Sequence, residues 1–326
     1  MVNPLAIAFD LGGTQIRTAL VHRDGTVLQR TAQPTDVSGG PAGVMGQFER
    51  MFDQMVEQLT RQPLAEAGAI GAVGVSAPGP LDSTTGTILG IPTLPGWEDY
   101  PLKQALARRF ALPVVVEGDG IAAANGEWRH GAGRGLDDLV YVTVSTGIGG
   151  GVVSGGRLLH GRRGMAGHVG HMRLSQDGPV CACGTAGCFE AYASGSALGR
   201  EGRAAAAAFP DSALGRLAAS RPVSGGDVVA AARAGDAVAI ALLDREAEHL
   251  GAGFVALLHA CSPALIVMGG GVSHAFDLLE PGIRAAIRRA ALAPFREVPV
   301  VPAALGDNAG LVGVAMLALE QADAAP

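Results

Sequence analysis

Hydrophobic and polar positions alternate between two rhythms along the chain. The stretch "LAIAFDLGGTQIRTALVHRDGTVLQR" (5–30) predicts a strand, a glycine-rich turn, a second strand, a hairpin at Asp24-Gly25 and a third strand. Residues 41–61 then place Val44, Met45, Phe48, Met51, Phe52, Met55, Val56 and Leu59 mostly at three- and four-residue steps. That is the stripe of an amphipathic helix on a core, with the methionines as filler. "AIGAVGVSAPGPLD" (69–82) predicts another strand and a Pro/Gly turn, "LKQALARRF" (102–110) a helix, and "PVVVEGDG" (113–120) the next strand.

The opening pattern then recurs. "LVYVTVSTGIGGGVVSGGRLLHG" (139–161) is again an apolar strand, a glycine turn and a second strand with a Gly-Gly hairpin. Two such units about 135 residues apart imply two related domains facing each other. The segment 203–227 is low in complexity and is expected to be a helical, surface-facing insertion, with a capping box from Ser224 to Asp227. Between 247 and 276 Glu248 is the only formal charge, but Pro263 and several glycines interrupt the run. The expectation is a buried helix to about Cys261 and a buried strand in "ALIVMGGGV" (264–272), with no membrane span. "GLVGVAMLALE" (310–320) predicts a closing helix.

Composition narrows the function classes. With 48% hydrophobic residues but only 4% aromatics, the core must be built from Val, Ile, Leu and Ala. The 49 glycines cluster after apolar runs, where they let backbone approach a ligand closely. A net charge of −6 and no basic run longer than "HGRRG" (160–164) argue against nucleic acid as the main partner. The start "MVNPLAIAFD" lacks a basic n-region, so no signal peptide is expected and the cytoplasm is the expected compartment. Three of the four cysteines fall within eight residues, which favours a metal site over a disulfide framework.

Three glycine turns, Gly12-Gly13-Thr14, Ser145 to Gly151 and Gly269 to Gly271, each close an apolar strand and can offer backbone N–H groups to phosphate oxygens. Neither the P-loop pattern nor a well-placed dinucleotide fingerprint occurs. Asp10, before the first turn, could hold Mg²⁺ through water or simply cap the turn. Asp119, between two glycines at a strand end, is either a presented base or a turn residue capping the next helix. His171, Cys181, Cys183 and Cys188 supply one imidazole and three thiolates inside eighteen residues. That donor set suits a closed, structural tetrahedral Zn²⁺; buried free cysteines are the alternative. Cys261, in an apolar helix, is read as core.

Together "DLGGT", "VSTGIGGG", "GHVGH" and "CACGTAGCFE" resemble the ROK family of bacterial sugar kinases and regulators, from Asp10 to "DNAGLVGVAML" (307–317). The resemblance implies an α/β, two-domain actin-like ATPase (ribonuclease H-like) fold with an interdomain cleft. One domain would span 1–117 plus about 308–326, the other 118–307 with the zinc site. It also implies Mg-ATP-dependent phosphorylation of a hexose or N-acetylhexosamine, at the 6-hydroxyl, usually by a homodimer. Gly12, Gly13 and Thr14 match the first phosphate motif, and Thr146, Gly147, Gly149 and Gly150 fall in the second. Gly270 belongs to the turn near adenosine, and Asp119 matches the catalytic aspartate. Glu190 matches a sugar-hydroxyl ligand, Gly79 in "APGP" a backbone contact to the sugar, and His171 a metal-binding histidine close to the sugar.

Four positions depart from the family pattern. Gly118 and Ile121 replace the asparagines of "NDxN", Thr93 replaces the sugar-binding asparagine of "PNLPGW", and His168 replaces the glutamate of "GExGH". The last change is similar to bacterial N-acetylmannosamine kinases. The phosphate motifs show no substitution, so the expectation is retained chemistry with altered specificity. Two other classes compete: a ROK repressor, which would carry a winged helix before "DLGGT" where nine residues precede Asp10, and a degenerate sugar- or nucleotide-binding protein without turnover.

Overall fold

A computed structural model describes residues 5–61, 68–91 and 94–324. Its first sheet grows from the opening apolar runs. β1 (Leu5–Leu11), β2 (Gln15–His22) and β3 (Val27–Pro34) form an antiparallel meander. The Asp24 carboxylate holds the hairpin by accepting the Thr26 N–H at 2.8 Å. Helix α1 (Gly40–Arg61) follows and buries Val44, Phe48, Met51 and Met55, the stripe its spacing predicts. β4 (Ile70–Ala77) then pairs parallel to β1. A small hairpin, β5 (Leu81–Asp82) and β6 (Thr87–Ile88), and helix α2 (Leu102–Phe110) lead to β7 (Val114–Gly118). The sheet order is β3-β2-β1-β4-β7.

Helix α3 (Asp119–His130) leaves β7 and leads to the second sheet. There β8 (Leu139–Val144), β9 (Ile148–Ser154) and β10 (Arg157–Leu158) repeat the meander. The chain then runs through α4 (Phe189–Ala193), α5 (Gly195–Ala208), α6 (Ala213–Ala218), α7 (Gly225–Arg233) and α8 (Ala237–Cys261). It closes with β11 (Leu265–Gly269), α9 (Phe276–Ala290), β12 (Val300–Pro302) and α10 (Ala309–Ala324). The order β10-β9-β8-β11-β12 mirrors the first sheet: a meander extended by two parallel strands. The recurrence read in the sequence is therefore a repeat of topology.

Two of the helices join the halves. α10 lays Leu311, Val312, Val314 and Ala315 on Ala6, Ala8 and Ala72 of the first sheet. α3 contributes Ala122 to that core, and Ala123 and Ala124 to a core with Leu139, Tyr141 and Val153 of the second sheet. The two helices touch backbone to backbone, because a side chain on Gly313 would run into the Ala122 carbonyl. Asn125 Nδ2 donates to the Gly313 carbonyl across this contact at 2.9 Å. The N-terminus of α3, where Asp119 lies, is thus fixed against both sheets.

The segment 203–227 is largely helical and mostly exposed, as expected, and three of its side chains anchor it inward. Ala206, Leu214 and Val223 are buried in the core under the second sheet, because α5, α6 and α7 pack together there with α8. The capping box at the start of α7 is present: Ser224 and Asp227 bond each other's backbone N–H reciprocally. Among the described residues no helix is long and apolar enough to cross a membrane. The glycine turns follow the carboxyl ends of β1, β8 and β11, the side on which open α/β sheets bind ligands.

Candidate active site

Asp119 is both a helix-start residue and an available carboxylate. Val116 and Glu117 anchor the end of β7 in the core, and Gly118 carries the chain in extended conformation (φ −61°, ψ 138°) into α3. Glu117 accepts the Gly118 N–H at 2.8 Å and pairs with His160 Nε2 at 3.3 Å, which holds this corner. Asp119 Oδ1 accepts the Gly120 N–H at 2.7 Å, while Oδ2 has no hydrogen bond among the described residues. Asp119 is exposed. The protein packed around it nevertheless pushes its pKa up to about 6, and the Asp10 carboxylate adds to the rise, against the Gly120 amide and His168. Such a group can take a proton near neutral pH.

The two phosphate-type turns flank this carboxylate. In the first, the Gly12 N–H bonds the Gln15 carbonyl at 3.0 Å, and Thr35 Oγ1 donates to the Gly12 carbonyl at 2.6 Å. Gly13 is partly exposed and Thr14 is exposed. Asp10 beside them accepts from Ser76 Oγ at 3.1 Å and from Arg17 Nη1 at 3.4 Å. Burial raises its pKa, and those two partners oppose the rise. In the second turn the Ser145 N–H bonds the Gly147 carbonyl at 2.9 Å and leaves Thr146 exposed. Gly149 lies next to Asp119: a Cβ there would sit 4.0 Å from Oδ1. Gly150 packs against Gly120 at the start of α3. Gly270 turns with φ +83° beside the Val144 carbonyl, a conformation and a space that admit no side chain.

The second turn and the Gly269–Gly271 turn border a cavity of about 480 Å³, within the range of small-molecule sites. Its walls include Ser145, Thr146 and Gly271, and also Gly195, Ser196, Arg203, Gly225 and Gly226, which sequence reasoning missed. A signal for them exists. Two helices start with a serine cap followed by glycine, Ser194-Gly195 and Ser224-Gly225, and both caps accept an N–H from three residues on, Ala197 and Asp227.

On the other side lies the region expected to take the sugar. A Cβ on Gly79 would meet His168 Nε2 at 3.5 Å, so these two residues adjoin. His168 Nδ1 lies 3.1 Å from the Met165 carbonyl, which can only accept; in the neutral ring Nδ1 is the donor and Nε2 is left as an acceptor. Glu190 bridges two features: Oε2 accepts the Ile148 N–H at 2.9 Å, and Oε1 lies 3.4 Å from Cys181 Sγ. Ile121 is buried and does not line the cleft. A Cβ on Gly118 would meet nothing within 4 Å. Thr93 lies outside the described residues.

The ligand atoms of His171, Cys181, Cys183 and Cys188 all lie within 4.8 Å of one another. Cys183 Sγ and Cys188 Sγ are 3.7 Å apart, and Cys181 Sγ and His171 Nδ1 3.8 Å. A tetrahedron with metal–sulfur bonds of about 2.3 Å has edges of roughly 3.8 Å, so the donor set fits a four-coordinate zinc ion and leaves no open position. Bound there, zinc would fasten the start of α4, which carries Glu190.

A family model described as ROK family matches residues 6–321. The chain belongs to the ROK family. The glucokinase of Thermotoga maritima is 34% identical over 317 residues, covering 97% of both chains. An N-acetylmannosamine kinase of Yersinia pestis is 32% identical over 312 residues, 96% of this chain and 97% of its own. A ROK family glucokinase from Streptomyces griseus, solved with glucose and AMPPNP, superposes with a TM-score of 0.82 at 37% identity, covering 97% of this chain and 99% of that one. The fold is accordingly the α/β actin-like, ribonuclease H-like one expected from the motifs.

Proposed function

We propose that this protein is an ATP-dependent sugar kinase that phosphorylates the 6-hydroxyl of a hexose or an N-acetylhexosamine. The observation that carries this reading is the exposed Asp119, with its free Oδ2, beside Gly149 of the second glycine turn. In this reading Gly12, Gly13, Thr14, Thr146, Gly147, Gly149 and Gly150 cradle the phosphates, and Gly270 borders the adenosine. Gly79, Thr93, His168, His171 and Glu190 surround the sugar. Asp119 orients the attacking hydroxyl and accepts its proton. Backbone amides of the turns face the charge that develops on the phosphoryl oxygens. Asp10 would hold a nucleotide-bound Mg²⁺ through water, and that ion would neutralise phosphate charge. The transfer is loose, so positioning contributes more than proton abstraction.

The same reading takes 1–117 with about 308–326 as one domain and 118–307 as the other, in a cytoplasmic homodimer. A second reading, a binding protein without turnover, is favoured by the open space at Gly118, where the family carries asparagine. A buried sugar hydroxyl left without that partner costs about 1–3 kcal/mol. ADP release over glucose, mannose, fructose, N-acetylglucosamine and N-acetylmannosamine separates the two. A sugar-dependent rate supports the kinase; ATP binding without turnover on any of the five supports the binding protein. Metal analysis of the purified chain is expected to find one zinc per chain, and a metal-free folded protein would refute the zinc assignment.

A further inference from the structure

A second cavity, of about 200 Å³, lies away from Asp119 between α5, α8 and the end of α4. It is too small for a nucleotide. α8 presents Leu242, Arg245, Glu246 and His249 to it from one face, spaced as neighbours on successive turns. Tyr192 and Arg200 close the opposite wall.

Two of its groups lack partners. Glu246 is 3% exposed, yet its Oε1 has no hydrogen bond among the described residues. Arg245 has no ion-pair or hydrogen-bond partner among the described residues. The other groups are engaged: Arg200 pairs with Glu201 at 3.4 Å and donates to the Ala191 carbonyl at 2.9 Å, and His249 rests against the Tyr192 ring at a centroid distance of 4.9 Å. A buried polar atom without a partner is a vacancy for a hydrogen bond. An unpaired guanidinium one residue away favours an anion.

We propose that this cavity is a second small-molecule site, which takes a hydroxyl-bearing anion of the sugar phosphate class. A ligand hydroxyl bonds Glu246 Oε1, the anionic group pairs with Arg245, and the Tyr192 and His249 rings flank the carbon skeleton. Burial pushes the Glu246 carboxyl up to about 8, opposed by Arg200 and reinforced by Glu201. At neutral pH it is then largely an uncharged acid, which does not repel an anion and can both donate to and accept from a hydroxyl. The site also touches the helix that carries Glu190, through Tyr192 and through the Arg200 bond to Ala191.

His249 supplies a local probe. Its ring signals in carbon-edited NMR of the full chain, identified with His249→Gln, are followed while glucose 6-phosphate, glucose or inorganic phosphate is added. Glucose 6-phosphate is expected to give a saturable shift with a midpoint at least tenfold below that of inorganic phosphate, and glucose none. Arg245→Met, a change at an exposed position, and Glu246→Leu should each raise that midpoint at least tenfold. The proposal is overturned if glucose 6-phosphate gives no saturable shift, if it and inorganic phosphate share one midpoint, or if Arg245→Met leaves the midpoint unmoved.

Discussion

Asp10 and Asp119 lie at the carboxyl ends of two strands that flank β4 in one sheet, and they are loaded differently. Burial raises the pKa of both. Asp10 is held by side chains of its neighbours, Ser76 across the parallel pair and Arg17 across the hairpin. Asp119 has one bond, to the amide of the next residue, and keeps an oxygen free. A carboxylate with fixed partners holds charge in place, as an ion-binding group must. A carboxylate with a free oxygen and a pKa near 6 can exchange a proton. The same residue type in the same kind of position is thus set for two tasks by what surrounds it.

The largest expected effect comes from exchanging these tasks. Asp119→Asn should lower kcat by about 10²–10⁴-fold, the usual range for losing a positioned base, with little change in sugar KM. Asp10→Asn should act instead on KM for Mg-ATP. Steady-state ADP release measures both, and an Asp119→Asn enzyme within threefold of the wild type would break the contrast. Next in size is a pH effect. Only the deprotonated base is competent, so kcat/KM should rise tenfold per pH unit up to about pH 6 and level off above it. A midpoint near 4 in the pH profile would show that burial does not govern this group. Smaller again is Gly118→Asn. Among the described residues nothing lies within 4 Å of a Cβ placed there, so the fold should be kept, and one regained hydrogen bond should lower KM for an ordinary hexose by about tenfold. An unchanged KM would mean that the space beside Asp119 does not face the sugar.

What could be read in the sequence follows from how local each feature is. The α1 stripe and the β1–β2 turn are encoded by neighbours a few residues apart, and both appear where periodicity places them. The cysteine–histidine cluster was legible because all four donors fall in one short loop. The cavity beside the second glycine turn was not, since its walls come from segments near 145, 195, 225 and 271. Serine and glycine at helix starts carry too little chemistry to be noticed singly. The burial of Ile121 was not legible for a related reason: it follows from helical phase, which is invisible without the helix start. The bond from Glu190 to the Ile148 amide joins residues 42 apart and required the fold.

The smallest effect tests the physical cause behind the contrast. Asp119 has a folded-state pKa of about 6, above its ordinary 3.8, so the folded protein holds this proton more tightly than the unfolded chain does. The stability this supplies is complete below about pH 3.8 and is lost as pH rises through 6, where the protein must shelter a poorly hydrated charge. Asp119→Asn removes that charge. Its melting temperature should exceed the wild type's by a few degrees at pH 8, and the gap should close toward pH 4. Asp10→Asn should gain less, because it also strips Ser76 and Arg17 of their acceptor. Calorimetry at the two pH values compares them. If Asp10→Asn gains as much as Asp119→Asn, the partners of Asp10 do not offset its burial, and the two carboxylates differ in position alone.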